Sequence, residues 1–110
     1  MAKAEIHSGI CGFNTTVRTS MDGKVCKVSI ESECQAIQKL AAELTEVEPF
    51  QEISFRRNQP KTLEMGAKYC SHAACPVPVG IIKAIEVEAQ LALPADVTIK
   101  LSKENEERVI

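Results

Sequence analysis

The feature that most restricts the fold of this 110-residue chain is the Asp22-Gly23 pair, set between two segments of alternating polarity. Glycine takes positive φ without steric cost, so an Asp-Gly pair flanked in this way predicts a tight β-hairpin turn. Before the turn, Phe13, Thr15, Val17 and Thr19 share one face, and Asn14, Thr16 and Arg18 the other. After it, from about Val25 to Glu31, Cys26, Val28 and Ile30 alternate with Lys27, Ser29 and Glu31. Residues 3 to 8 alternate more weakly and predict a short strand ahead of the hairpin.

Ser32-Glu33-Cys34-Gln35 matches a capping box and predicts a helix start. Ile37, Leu40, Ala41 and Leu44 then recur at helical spacing until Glu48-Pro49 ends the pattern. Phe50 to Phe55 reads as a short strand or an extended connection. A second helix is expected after Asn58-Gln59-Pro60, with Leu63, Ala67 and Cys70 on its apolar stripe and proline in its first turn. Cys75-Pro76-Val77-Pro78 breaks it, and a third helix carries Ile81, Ile82, Ile85, Ala89 and Ala92 until Pro94. Val97, Ile99 and Leu101 alternate with Thr98, Lys100 and Ser102 as a final half-buried strand, and residues 103–110 read as a frayed tail. The expected class is α+β: an antiparallel sheet starting with a β-hairpin and about three helices packed on one face, in one domain spanning residues 1–110.

Composition removes several functions. A net charge of −2, a pI near 5.7 and four scattered aromatics give no footprint for nucleic acid. No apolar run approaches the ~20 residues that cross a bilayer, and the N-terminal residues lack the apolar core of an export signal. The expectation is a soluble, cytoplasmic protein with reduced thiols. Hydrolytic motifs and a glycine-rich phosphate loop are missing, so the sequence argues against an enzyme more than for one.

Five cysteines are the remaining signal, because an odd number of thiols in a small intracellular chain favours metal or reactive-thiol chemistry over a disulfide framework. Cys26 shares a strand face with Val28 and Ile30 and reads as a small core hydrophobe. The other four fall at element ends: Cys11 in Gly9-Ile10-Cys11-Gly12, Cys34 in the first turn of a helix, Cys70 near a helix C-terminus and Cys75 just before another helix. Gly12 beside Cys11 would let the backbone approach a ligand. Cys70-Ser71-His72-Ala73-Ala74-Cys75 is the densest donor cluster, and thiolates with or without one imidazole select zinc, copper(I) or iron–sulfur clusters.

Cys11-Gly12, a hairpin with an Asp-Gly turn, Cys34 opening an apolar helix, and Cys75 ahead of Ile82-Lys83-Ala84-Ile85 together resemble the IscU/NifU-type iron–sulfur cluster scaffold proteins. The resemblance spans roughly Gly9 to Leu91 and implies a SufE/NifU-like fold. It implies an iron–sulfur cluster, or alternatively zinc, held by Cys11, Cys34 and Cys75 with Cys70 or His72 as fourth ligand, and sulfur-donor or cluster-acceptor proteins as partners. Ile10, Phe13 and Ile37 would shield such a centre from water. The family's Cys-Gly-Asp is here Cys11-Gly12-Phe13, which removes an acidic residue associated with cluster transfer and favours a stored cluster. The alternatives are a sulfur-transfer or redox protein working through a low-pKa thiol or a Cys70–Cys75 disulfide, and a structural domain without catalysis. A homodimer through an uncovered strand edge such as the last one is a further expectation.

Overall fold

The structure, a computed structural model, describes residues 1–104. Its strands are β1 (Ala2–His7), β2 (Asn14–Asp22), β3 (Val25–Ser32) and β4 (Glu46–Val47), paired antiparallel in the order β1-β2-β3-β4. Its helices are α1 (Gln35–Glu43), the single turn α2 (Pro49–Glu52), α3 (Lys61–Tyr69) and α4 (Val77–Glu88). The class is therefore α+β, as the alternation predicts. The hairpin forms at Asp22-Gly23, with Asp22 opposite Val25 and Gly23 at φ +65°.

Period-two alternation places the core. Thr15, Val17 and Thr19 of β2 and Cys26 and Val28 of β3 are buried, and they meet Ile37 and Leu40 of α1 and Val77, Ile81 and Ile85 of α4. Burying an aliphatic side chain of this kind contributes about 1.5–3 kcal/mol, so this cluster is the main source of stability. Helix and sheet touch closely where α4 crosses β1, because a Cβ at Gly80 would run into the Ile6 side chain. The buried polar groups are matched: the Thr19 hydroxyl donates to the Ala84 carbonyl at 3.0 Å, and the Thr15 and Ser32 hydroxyls share a bond of 2.8 Å.

Several boundaries differ from expectation. Ser32 and Gln35 make no capping box. Cys34 is the N-cap of α1, and the Ser32 Oγ instead accepts the Cys34 N–H at 3.1 Å. α1 stops at Glu43, and Glu46–Val47 join the sheet before Pro49. The stretch 50–55 is not a strand: α2 ends at Glu52 and an irregular connection follows.

On α3 the buried stripe is Thr62 and Gly66, not Leu63 and Ala67. Its first turn is tied down by buried Glu52, whose carboxylate accepts the Lys61 N–H at 3.0 Å, the Thr62 N–H at 2.8 Å and the Thr62 hydroxyl at 2.6 Å. Pro60, the N-cap, has no side-chain oxygen to do this, and the long-range carboxylate sets the helix rotation instead.

α4 ends six residues before Pro94. Gln90 is left-handed at φ 64°, its N–H donates to Val87, and the Leu91 N–H reaches back to Glu86 at 2.9 Å, which together close the helix as a Schellman motif. Ala92 is thus outside the helix and exposed. The expected last strand is not formed either: residues 93–104 have no regular structure, and Val97, Ile99 and Leu101 are exposed. Of the tail expected to fray, 105–110 lies outside the described residues. Among the described residues no helix is long and apolar enough to cross a membrane.

Candidate thiol site

Three connections meet at the end of the sheet formed by His7, Asn14 and Ser32. The first joins β1 to β2. It is a tight loop in which the Ser8 N–H donates to the Phe13 carbonyl at 3.0 Å and the Gly12 N–H to the Gly9 carbonyl at 2.9 Å. Gly9 and Gly12 sit at φ +85° and +75°, a region that disfavours side chains, and they hold Ile10 and Cys11 out at the tip. The glycines are needed for this backbone turn, and a Cβ on either would meet no protein atom within 4 Å.

The second connection is the step from β3 into α1. Cys34 leads it in an extended conformation, with its carbonyl accepting the Gln38 N–H at 2.9 Å and its side chain half-buried against the core. The third runs from α3 to α4. Cys70 closes α3 by donating its N–H to Gly66, the Cys75 N–H donates to the His72 carbonyl at 3.3 Å, and Pro76 starts α4.

These connections wall a pocket of about 360 Å³. Cys11, Cys34, Cys70, Cys75 and His72 all line it, and Ile10, Phe13 and Ile37 supply apolar wall beside them. At roughly 30 Å³ per water in the liquid, the space corresponds to on the order of ten waters. The sequence thus identifies the residues that converge. Ser8 and Ala36 also line the pocket and were not expected; Ser8 lies two residues from Ile10 and Ala36 adjoins Ile37, and that adjacency is the only signal for them.

The thiols are not equivalent. Cys75 and Cys34 both stand near enough to Cys70 to act on its thiol electrostatically. Burial first, then the neighbouring sulfurs of Cys75 and Cys34, push the Cys70 thiol up to about 12, so it stays protonated at neutral pH. Cys11 is exposed on the opposite lip, and His72 is exposed on the α3–α4 connection. Among the described residues, no three His, Cys, Asp or Glu side chains are grouped so as to hold a metal ion as they stand.

The other candidates are elsewhere. Cys26 lies wholly buried in the core, as its strand face predicts, and burial and the Glu88 carboxylate raise its pKa. His7 is exposed on β1, with Nδ1 bonded to the Asn14 side-chain oxygen at 3.0 Å. No curated protein and no solved structure was found to match the chain. A family model does match residues 2–101, so the chain belongs to the Family of unknown function (DUF6951), and its thiol pocket lies wholly within that span.

Proposed function

We propose that the pocket is a thiolate site for a soft metal centre, an iron–sulfur cluster first and zinc second. Cys11, Cys34, Cys70 and Cys75 would be its ligands, and the protein would be a cluster scaffold or carrier. The observation that carries this reading is the convergence of four cysteines from three separate connections on one pocket with apolar walls. Thiols gathered in a half-buried space stay protonated until a soft cation displaces their protons and is shared between the sulfurs. Four thiols fit that chemistry and leave no role for a hard metal.

On this reading the thiols close around the centre only when it binds, as ligands of a cluster or of a single zinc. Cys70 is the better fourth ligand, because its sulfur faces Cys75 and Cys34 whereas His72 is exposed. Cys11, on its loop tip, would complete the shell from the solvent side. On this reading the protein works in a reducing compartment such as the cytoplasm, and exchanges with sulfur-donor or cluster-acceptor proteins through the open lip around Ile10 and Cys11.

The test is iron, zinc and acid-labile sulfide content with a visible spectrum, on protein purified without oxygen. Stoichiometric iron and sulfide with a brown chromophore is the expected result.

A second reading is favoured by the proximity of Cys70 and Cys75 on one pocket wall. The pair could form a disulfide with loss of two electrons and two protons to a small disulfide such as oxidised glutathione, which leaves as two thiols. Protein free of metal and sulfide that forms this bond reversibly would favour it over the metal site.

A further inference from the structure

β1 is an edge strand, with β2 on one side and, among the described residues, no strand on the other. Its residues alternate: Ala2, Ala4 and Ile6 are half-buried on the side of α4, and Lys3, Glu5 and His7 are exposed. Beyond that free edge runs a groove of about 660 Å³, floored by Gly80, Lys83, Ala84 and Val87 of α4. An exposed edge of this kind invites another strand, because its outward N–H and C=O groups have no partner in the sheet.

The chain also carries a strand without a sheet. Val97, Ile99 and Leu101 alternate with Thr98, Lys100 and Ser102. The three apolar side chains are 61%, 75% and 90% exposed. Among the described residues no backbone hydrogen bond reaches residues 92–102. Residues 94–97 form only a rim of the groove, so the segment starts beside the β1 edge without occupying it.

Direction decides which copy of the segment fits. α4 ends beside the start of β1, where Glu88 meets the Met1 amine at 3.3 Å. A strand leaving from there along its own β1 would run parallel to it, whereas every pair in this sheet is antiparallel. A second copy related by a two-fold axis supplies the antiparallel direction. With Leu101 opposite Ala4 and Ile99 opposite Ile6, the apolar side chains fall on the α4 side, over the groove. The same register sets Lys100 against Glu5 on the outer face.

We propose that residues 97–102 of one molecule add antiparallel to β1 of a second copy, and reciprocally, so that the protein is a two-fold dimer with a fifth strand on each sheet. The interface is separate from the thiol pocket and does not depend on its metal.

Sedimentation equilibrium of the full chain tests this with two charge variants. Glu5→Lys and Lys100→Glu each set like charges opposite at both contacts and should weaken the dimer roughly ten-fold. In an equimolar mixture of the two variants, every mixed dimer has both contacts complementary again, and wild-type affinity should return. A monomeric wild type at concentrations where a micromolar dimer would form overturns the proposal. So does a dimer indifferent to both variants. Failure of the mixture to recover also overturns it, because that is the result if the segment docks on its own β1 or on a different partner.

Discussion

The two ends of the sheet are built on opposite terms. At the end where β1 begins, polar groups are matched to partners of opposite kind. The Glu88 carboxylate accepts the Met21 N–H at 3.0 Å and pairs with the Met1 amine at 3.3 Å, which together hold its carboxyl below the usual range. At the other end four thiols face one pocket, and Cys70 has for neighbours other sulfurs that raise its pKa. The first end ties the N-terminus, the hairpin and the end of α4 together. The second gathers the thiols of Cys11, Cys34, Cys70 and Cys75 around one pocket. The difference lies in what builds each end: regular elements meet at the matched end, and connections supply the thiols at the other.

Substitutions sharpen this contrast. The largest effect is expected at the thiol end: Cys11→Ala, Cys34→Ala or Cys75→Ala should each abolish bound metal and sulfide while leaving a cooperative urea transition. A variant that keeps stoichiometric metal removes that residue from the site. In the core shared by both ends, Ile85→Ala should lower unfolding free energy by about 2–5 kcal/mol in urea titrations, from lost transfer energy plus the cavity left behind. A cost below that range would mean the α4–sheet contact collapses around the gap.

Cys26→Ser puts a hydroxyl in the same core and should cost about 1–3 kcal/mol with no change in metal content, since Cys26 is a packing residue. Loss of metal in this variant would break the division of the cysteines into two kinds. The smallest effect is at the matched end. Glu88→Gln should cost about 1–2 kcal/mol near neutral pH, as hydrogen bonds to a charged group are lost. Because the folded-state pKa of Glu88 is lowered, this contribution is present above the unfolded carboxyl pKa of about 4.3 and is lost as pH falls through the lower folded value. The gap between wild type and variant should therefore close in acid. A constant gap from neutral pH to pH 3 would assign the effect to packing.

Strand alternation and the Asp-Gly turn were legible, whereas helix ends and the contact that orients α3 were not. Asp22-Gly23 fixes its hairpin through backbone conformation alone, and the faces of β2 and β3 follow from alternation. By contrast, the buried stripe of α3 depends on Glu52, nine residues before Lys61 and on a different element, and no periodicity in Leu63, Ala67 and Cys70 contains that information. Pro94 is a visible stop, yet α4 ends earlier because Gln90 takes a left-handed conformation that glutamine rarely signals.

The last strand was read from a pattern that is real, but its pairing needs an edge, and the segment forms none with its own sheet. For the thiol site, placing Cys11, Cys34, Cys70 and Cys75 at element ends was enough to anticipate one shared pocket. What order along the chain lacks is distance, and so the influence of Cys75 and Cys34 on Cys70 and the exposed position of Cys11 emerge only in three dimensions.

The central claim, that the open end of the sheet is a thiolate site for a metal cluster, is tested most directly by iron, zinc and acid-labile sulfide analysis of anaerobically purified protein, with its visible spectrum. The expected result is iron and sulfide in stoichiometric amounts and a brown chromophore that the Cys34→Ala variant lacks. Protein free of iron, zinc and sulfide, with five thiols open to alkylation after mild denaturation, would contradict it.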